Sequence, residues 1–309
     1  MSSLSQPGAS TAPGNRVDQL FVVAAGLLWG TGGLTGVLLS RVAHLPPLAV
    51  ATYRLAGGGL LLVIWLGCLG RLPRPGRAVL ARAVLVRAGA LGLLTAVYQS
   101  CYFAAVALAG IPVATLVTLG AAPVLVLAAE VCWQRSRPGP ATLGAIGVAV
   151  LGLLLLVGGP GSTTGGGSPT VGVLLALTSA AGFAVMTLLG RRPVAGLAGP
   201  AAIGLGFLVG AVLLAGISPL AGGLAFPPGL VSVGLLGYFC LVPTALAYSL
   251  YFTGLRGVTA SSAAVVAVLE PVTATVLGVL VLGSTLSVRA GLGAVLLCVA
   301  AVAASTARA

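Results

Sequence analysis

The sequence predicts an all-α integral membrane protein, with ten transmembrane helices arranged as two inverted five-helix repeats. Three observations predict it: the composition, the spacing of ten apolar runs, and the placement of the arginines. Of 309 residues, 59% are hydrophobic, 47 more are glycine, and only 6% are charged. Soluble domains carry roughly a quarter charged residues. A chain this poor in charge cannot coat itself against water. Soluble enzymes, nucleic-acid binders and disordered chains are therefore excluded, and a polytopic helical membrane protein in a lipid bilayer remains.

A span needs about 20 mostly apolar residues to cross a core of roughly 30 Å. Reading between breakers gives ten: 20–39, 47–69, 86–108, 111–132, 140–158, 171–190, 198–220, 229–253, 259–282 and 288–306. The weakest boundaries are 108/111 and 253/259, where only a few residues separate long runs. The first run is too long for a signal-peptide core and is read as a retained span.

All fifteen basic side chains are arginine, against three acids, Asp18, Glu130 and Glu270. With an even number of spans and the N-terminus inside, the cytoplasmic segments hold Arg16, Arg71, Arg74, Arg77, Arg82, Arg87, Arg135, Arg137, Arg191, Arg192, Arg256 and Arg308. Only Arg41 and Arg289 fall outside, and Arg54 lies within a span. The positive-inside rule thus predicts a multi-pass protein of the plasma (inner) membrane with both termini cytoplasmic. The basic stretch 70–86 reads as an orientation signal, or as a short interfacial segment against anionic lipid. Five cysteines without framework spacing are read as packing residues, with no disulfides expected.

The chain looks duplicated at a shift of about 150 residues. Tyr102-Phe103 precedes a Leu-Ala-Gly turn and a helix carrying Pro123; Tyr251-Phe252 precedes a Leu-Arg-Gly turn and a helix carrying Pro271. This divides the chain into a polar cytoplasmic tail (1–18), a first repeat (19–158), an uncharged outer linker (159–170), a second repeat (171–306) and a short cytoplasmic C-terminus (307–309). Five spans per repeat force the halves into opposite orientations, an architecture recurrent in transporters.

Several motifs in order carry a family resemblance over about residues 20–306: Trp29-Gly30, Arg54, "ATLVTLGAAPVLVLAAE" (114–130) and "SSAAVVAVLEPVTATVLGVLVLG" (261–283). The chain resembles the drug/metabolite transporter superfamily, specifically the EamA-type ten-helix exporters with two EamA repeats. The family often has Gly-Glu just after the proline helix of each repeat. Here those places read Gly283-Ser284 and, in the first half, the region of Arg135-Ser136.

Glu270 is the deep acid, about 17 Å into a span entered from the cytoplasm. An unpaired acid there costs about 3 kcal/mol or more and faces the bundle interior. Pro271 after it removes a backbone donor and frees a carbonyl one turn earlier. The residue reads either as a proton or substrate-amine site, or as a structural acid. Arg54 lies about 10 Å below the outer edge, at a matching depth. It reads as a structural or coupling charge, paired with Glu270, snorkelling outward or bonded to helix-end carbonyls, with the structural role favoured. Pro123 and Pro271 are the expected helix breaks.

Glu130 is expected to form a boundary salt bridge near Arg135 and Arg137, and Asp18 and His44 to be hydrated. Thr95, Tyr98 and Tyr102 fall at helical spacing, as do Thr244, Tyr248 and Tyr251/Phe252. These equivalent stripes, with Trp29, Phe183, Thr115, Thr118 and Glu270, are the candidate cavity lining; plain packing is the other reading. Gly32-x-x-x-Gly36 and Gly206-x-x-x-Gly210 suit close helix contacts.

Together these readings predict a secondary active transporter that moves a small-molecule substrate by alternating access, with protons as the candidate coupling ion. No lysine means no Walker-type phosphate loop. Neither cofactor, metal, catalytic residue nor nucleic-acid partner is expected. The resemblance implies export of small amphipathic metabolites, amino acids or related compounds, and drugs. An importer or exchanger is the alternative, followed by a membrane enzyme or assembly subunit.

Overall fold

The computed structural model describes residues 16–73, 78–134, 139–157, 168–192, 194–282 and 287–306. Most of the two polar tails and of the 159–170 linker lie outside the described residues. So do Arg74, Arg77, Arg135, Arg137 and Arg308, and the Arg135-Ser136 and Gly283-Ser284 positions.

Among the described residues the chain forms ten apolar helices. They are α1 (Arg16–Val42), α2 (Pro47–Cys68), α3 (Arg82–Ala109), α4 (Ile111–Cys132), α5 (Pro140–Val157), α6 (Pro169–Arg191), α7 (Gly199–Ala221), α8 (Leu230–Gly254), α9 (Ala260–Val281) and α10 (Val288–Thr306). A helix closes its backbone hydrogen bonds within one segment, which is what a run of apolar residues needs in hydrocarbon. Leu85, Val212, Leu230 and Leu280 are among the large apolar side chains left exposed, as suits a surface that faces lipid.

The elements follow from punctuation in the sequence. Pro47 starts α2 and Pro169 starts α6, where a missing N–H costs nothing. Between α3 and α4 a single residue, Gly110, turns the chain at φ 83° and ψ 158°. Only glycine adopts that backbone freely, so one glycine suffices where the sequence offered little else. The 70–86 stretch corrects one expectation. Helical backbone already runs from Ala78 into α3, so its second part extends that helix instead of forming a separate interfacial segment. No glycine or proline after Gly76 interrupts it before Gly89.

The main helix pairings recur when each helix is exchanged with the one five places on. α1 packs on α8 and α9, as α6 packs on α3 and α4. α2 packs on α8 as α7 packs on α3, while α2–α7 and α5–α10 are pairs of counterparts. Glycines set the closest crossings. Gly206 and Gly210 lie on Leu91 and Gly92, and Gly32 on Phe239 and Pro243.

Bonds between helix termini define the two ends of the bundle. Arg87 at the start of α3 donates to the carbonyls of Leu189 and Arg192 at the end of α6. At the opposite end Thr52 meets Ser218, Tyr53 donates to the Leu224 carbonyl, and Arg289 donates to the Leu154 carbonyl. The first end gathers Arg82, Arg87, Arg191, Arg192 and Arg256, and is the arginine-rich end of the bundle.

Candidate substrate site between the two halves

α9 is the broken helix. It is α-helical over Ala260–Val266 and again from Leu269, with a turn at Ala267–Val268 between. Glu270 sits in the first turn of the second piece, its N–H bonded to the Ala267 carbonyl at 3.1 Å. Pro271 follows and contributes no donor. α1 comes very close here: a Cβ on Gly30 would stand 2.6 Å from the Glu270 carbonyl oxygen and would strike Thr273. Pro123 behaves differently, and the expectation of a break there is corrected. α4 keeps helical backbone straight through it. A proline removes one hydrogen bond, and neighbouring helices can absorb that loss without interrupting the helix.

The Glu270 side chain is half-buried and accepts no hydrogen bond from the described residues. It lies within electrostatic range of Arg54 and of Tyr98, Tyr102 and Tyr248. No ion pair closes between Arg54 and Glu270; the one pair among the described residues is Arg191–Glu130.

Arg54 instead holds α8. Its Nε donates to Thr244 Oγ1 at 3.1 Å and its Nη2 to the Pro243 carbonyl at 3.4 Å. Its guanidinium also stands 5.1 Å from the Phe239 ring centre and 5.8 Å from that of Tyr248, within cation–π range. The cause is Pro243, which has no N–H and widens residues Leu241–Leu246 into a π-helical turn. Thr244 Oγ1 donates to the Phe239 carbonyl at 2.7 Å. Arg54 therefore satisfies a helix irregularity.

The aromatic candidates differ in burial but touch one another, Tyr98 standing 5.9 Å from Phe183, centre to centre. Trp29, Phe183, Tyr248 and Tyr251 are buried and packed on one another. Trp29 stands 4.9 Å from Tyr248, 4.8 Å from Tyr251 and 6.1 Å from Phe183, centre to centre. The Tyr251 hydroxyl meets Thr187 Oγ1 at 3.1 Å. Thr118 is buried too, donating to the Ala176 carbonyl at 3.2 Å. These five are core, which corrects the expectation of one continuous lining: their faces turn toward neighbouring helices. Tyr98, Tyr102, Thr115 and Glu270 stay half-buried, and Tyr102 and Thr115 are joined hydroxyl to hydroxyl at 3.0 Å.

Residues 18–158 and 170–306 each match the model of the EamA-like transporter family. The chain belongs to that family. An uncharacterized transporter of Bacillus subtilis (strain 168), YwfM, is 32% identical over 294 residues, covering 91% of each chain. A solved structure described only as a crystal structure of a protein superposes with TM-score 0.76 at 21% identity, covering 94% of this chain and 96% of that one. That likeness concerns the fold alone.

Two features of this EamA-like chain escape sequence reading. Glu130 pairs with Arg191 at 3.2 Å, and it also accepts the N–H groups of Ala260 and Ser261 at 3.0 and 3.3 Å. It thus ties α4 to α6 and to the start of α9, crossing from one half to the other; Arg135 and Arg137, its expected partners, lie outside the described residues. Asp18, expected in open water, packs against Gly254 and Gly257 at the end of α8. Two buried polar nitrogens, Trp29 Nε1 and Gln99 Nε2, have no partner among the described residues. Gln99 could have been noticed as a lone amide in mid-span. Among those residues no three His, Cys, Asp or Glu side chains converge as a metal site would require.

Proposed function

We propose that this EamA-family transporter is a secondary active exporter of small amphipathic metabolites, with its substrate site around Glu270, Tyr98, Tyr102 and Thr115. One observation carries the reading. A half-buried carboxylate lies beside a break in α9, without a hydrogen-bond partner among the described residues, within electrostatic range of three tyrosines and a guanidinium. An acid at that depth costs about 3 kcal/mol or more, a penalty that function can justify where packing does not. A carboxylate suits a substrate amine or a transported proton. The tyrosines suit the apolar and hydroxyl parts of an amino acid, a related compound or a drug.

The mechanism is alternating access between the repeats, 19–158 and 171–306, taken as inverted because each has five spans. The buried group of Trp29, Phe183, Tyr248 and Tyr251 would be the closed side of the site, toward the arginine-rich end. Positive-inside placement makes that end cytoplasmic, in the plasma (inner) membrane with both termini inside. The site would then open outward in this state. Export, and the substrate class, rest on the family resemblance; an importer or exchanger is the rival.

Counterflow in proteoliposomes, run over amino acids, nucleosides, polyamines and drugs, tests the proposal. A substrate should accumulate in wild type, and Glu270→Gln should lose gradient-driven flux while staying folded. Wild-type flux and pH dependence in a folded Glu270→Gln protein would remove this residue from the site.

A further inference from the structure

A cavity lies away from Glu270, at the arginine-rich end. Its volume is about 310 Å³, at the low end of the roughly 300–1,000 Å³ of small-molecule sites. Four arginines line it: Arg87 from α3, Arg191 and Arg192 from the end of α6, and Arg256 beyond α8. The rest of the wall is apolar, including Leu91, Leu197 and Phe252, and no acid is part of it.

Bonds to other elements position Arg87 and Arg191. Arg87 caps the end of α6 through the Leu189 and Arg192 carbonyls, and Arg191 gives one nitrogen to Glu130. A guanidinium offers five N–H donors, so both keep donors to spare. Arg256 is exposed and makes no side-chain bond to the described residues. Arg87 and Arg192 also lie within electrostatic range of one another, like charge against like. Four guanidinium groups thus line one concave, partly apolar space.

We propose that this cavity binds a phosphate group carried by an anionic amphiphile. Guanidinium forks match phosphate oxygens two at a time, and an anion would relieve the crowding of like charges. The apolar wall would take the start of an acyl chain. A choline headgroup is disfavoured, because it brings its own cation to four guanidinium groups. The cavity joins first-half residues Arg87 and Leu91 to second-half residues, so an occupant bridges the halves and favours the state seen here.

The test is thermal unfolding of the purified full chain titrated with inorganic phosphate, short-chain phosphatidylglycerol or short-chain phosphatidylcholine. Phosphatidylglycerol should raise the melting temperature saturably, and phosphatidylcholine should not. Arg256→Gln should weaken the response about tenfold, the order of one charge-assisted contact, without lowering the basal melting temperature. Arg256→Glu should abolish it, and native mass spectrometry should find less retained phosphatidylglycerol in both variants. A full response to inorganic phosphate alone assigns the site to soluble phosphate compounds; a response only to the lipid assigns it to the headgroup. Equal responses to the two lipids, no response to any probe, or a wild-type response in folded Arg256→Gln would overturn the proposal. Transport assays do not enter, so this result stands apart from the reading of Glu270.

Discussion

Glu130 and Glu270 are the two acids within the spans, and the fold treats them in opposite ways. Glu130 accepts three hydrogen bonds, from Arg191 and from two backbone N–H groups that open α9. Glu270 is half-buried in the same helix's second piece, and no described residue donates to it. The difference teaches where this chain uses an acid as a fastener and where it leaves one available. A satisfied carboxylate at a helix N-terminus gains from the macrodipole as well as from its pair. A carboxylate left open beside a helix break keeps its lone pairs for something that arrives.

The comparison can be broken or sharpened by substitution, beginning with the largest expected change in stability. Glu130→Ala should cost about 3 kcal/mol, the low end of the roughly 3–5 kcal/mol for breaking a buried pair, because Arg191 keeps some water. A detergent-solubilised melting curve reads it; a loss under about 1 kcal/mol would make Glu130 an ordinary surface pair and dissolve the contrast. Gly30→Ala should come next, at about 1–3 kcal/mol for overpacking, because the new Cβ meets the Glu270 carbonyl and Thr273. Gly89→Ala, with open space around its Cβ, is the matched control and should change little.

Arg54→Gln should cost about 1–2 kcal/mol, for its bonds to Thr244 and Pro243 and its place over two rings. The cost should be the same with or without Glu270→Gln. Additivity within about 0.5 kcal/mol in a double-mutant cycle is expected for groups that do not pair; a larger coupling would mean that the two charges meet. Glu270→Gln alone should move stability least, by under about 1 kcal/mol, since no described bond is lost, yet it should abolish gradient-driven flux in proteoliposomes. A strongly destabilised Glu270→Gln that Arg54→Gln rescues would turn Glu270 into a second fastener.

The aromatic residues show a second contrast between the halves. Tyr98 and Tyr102 in α3, and Tyr248 and Tyr251 in α8, fall on corresponding helices of the two repeats, four and three residues apart, and spacing alone gives both stripes the same standing. In the structure the first pair stays half-buried and the second is packed beneath Trp29 and Phe183. Pro243 contributes to that asymmetry. It widens α8 into a π-helical turn just ahead of Tyr248, and such a turn rotates the residues after it relative to an unbroken helix. The first half has no proline at the matching place in α3, which runs unbroken to Gly110.

Much of this protein was legible from the sequence, and the reason is local. The ten spans are set by runs of apolar residues against a fixed bilayer thickness, and their ends by prolines, glycines and arginines a few residues away. The recurrence of Tyr-Phe before a turn is likewise a matter of counting along the chain. The tertiary structure alone decided which partners those residues found. Arg54 bonds a π-turn 190 residues on, Glu130 joins a helix start 130 residues on, and the four cavity arginines come from three separated segments. Such pairings depend on how each helix is rotated about its axis and which neighbour it crosses. In a chain of near-uniform Leu, Ala, Val and Gly faces, that rotation is fixed by close glycine crossings and helix irregularities that act between distant segments.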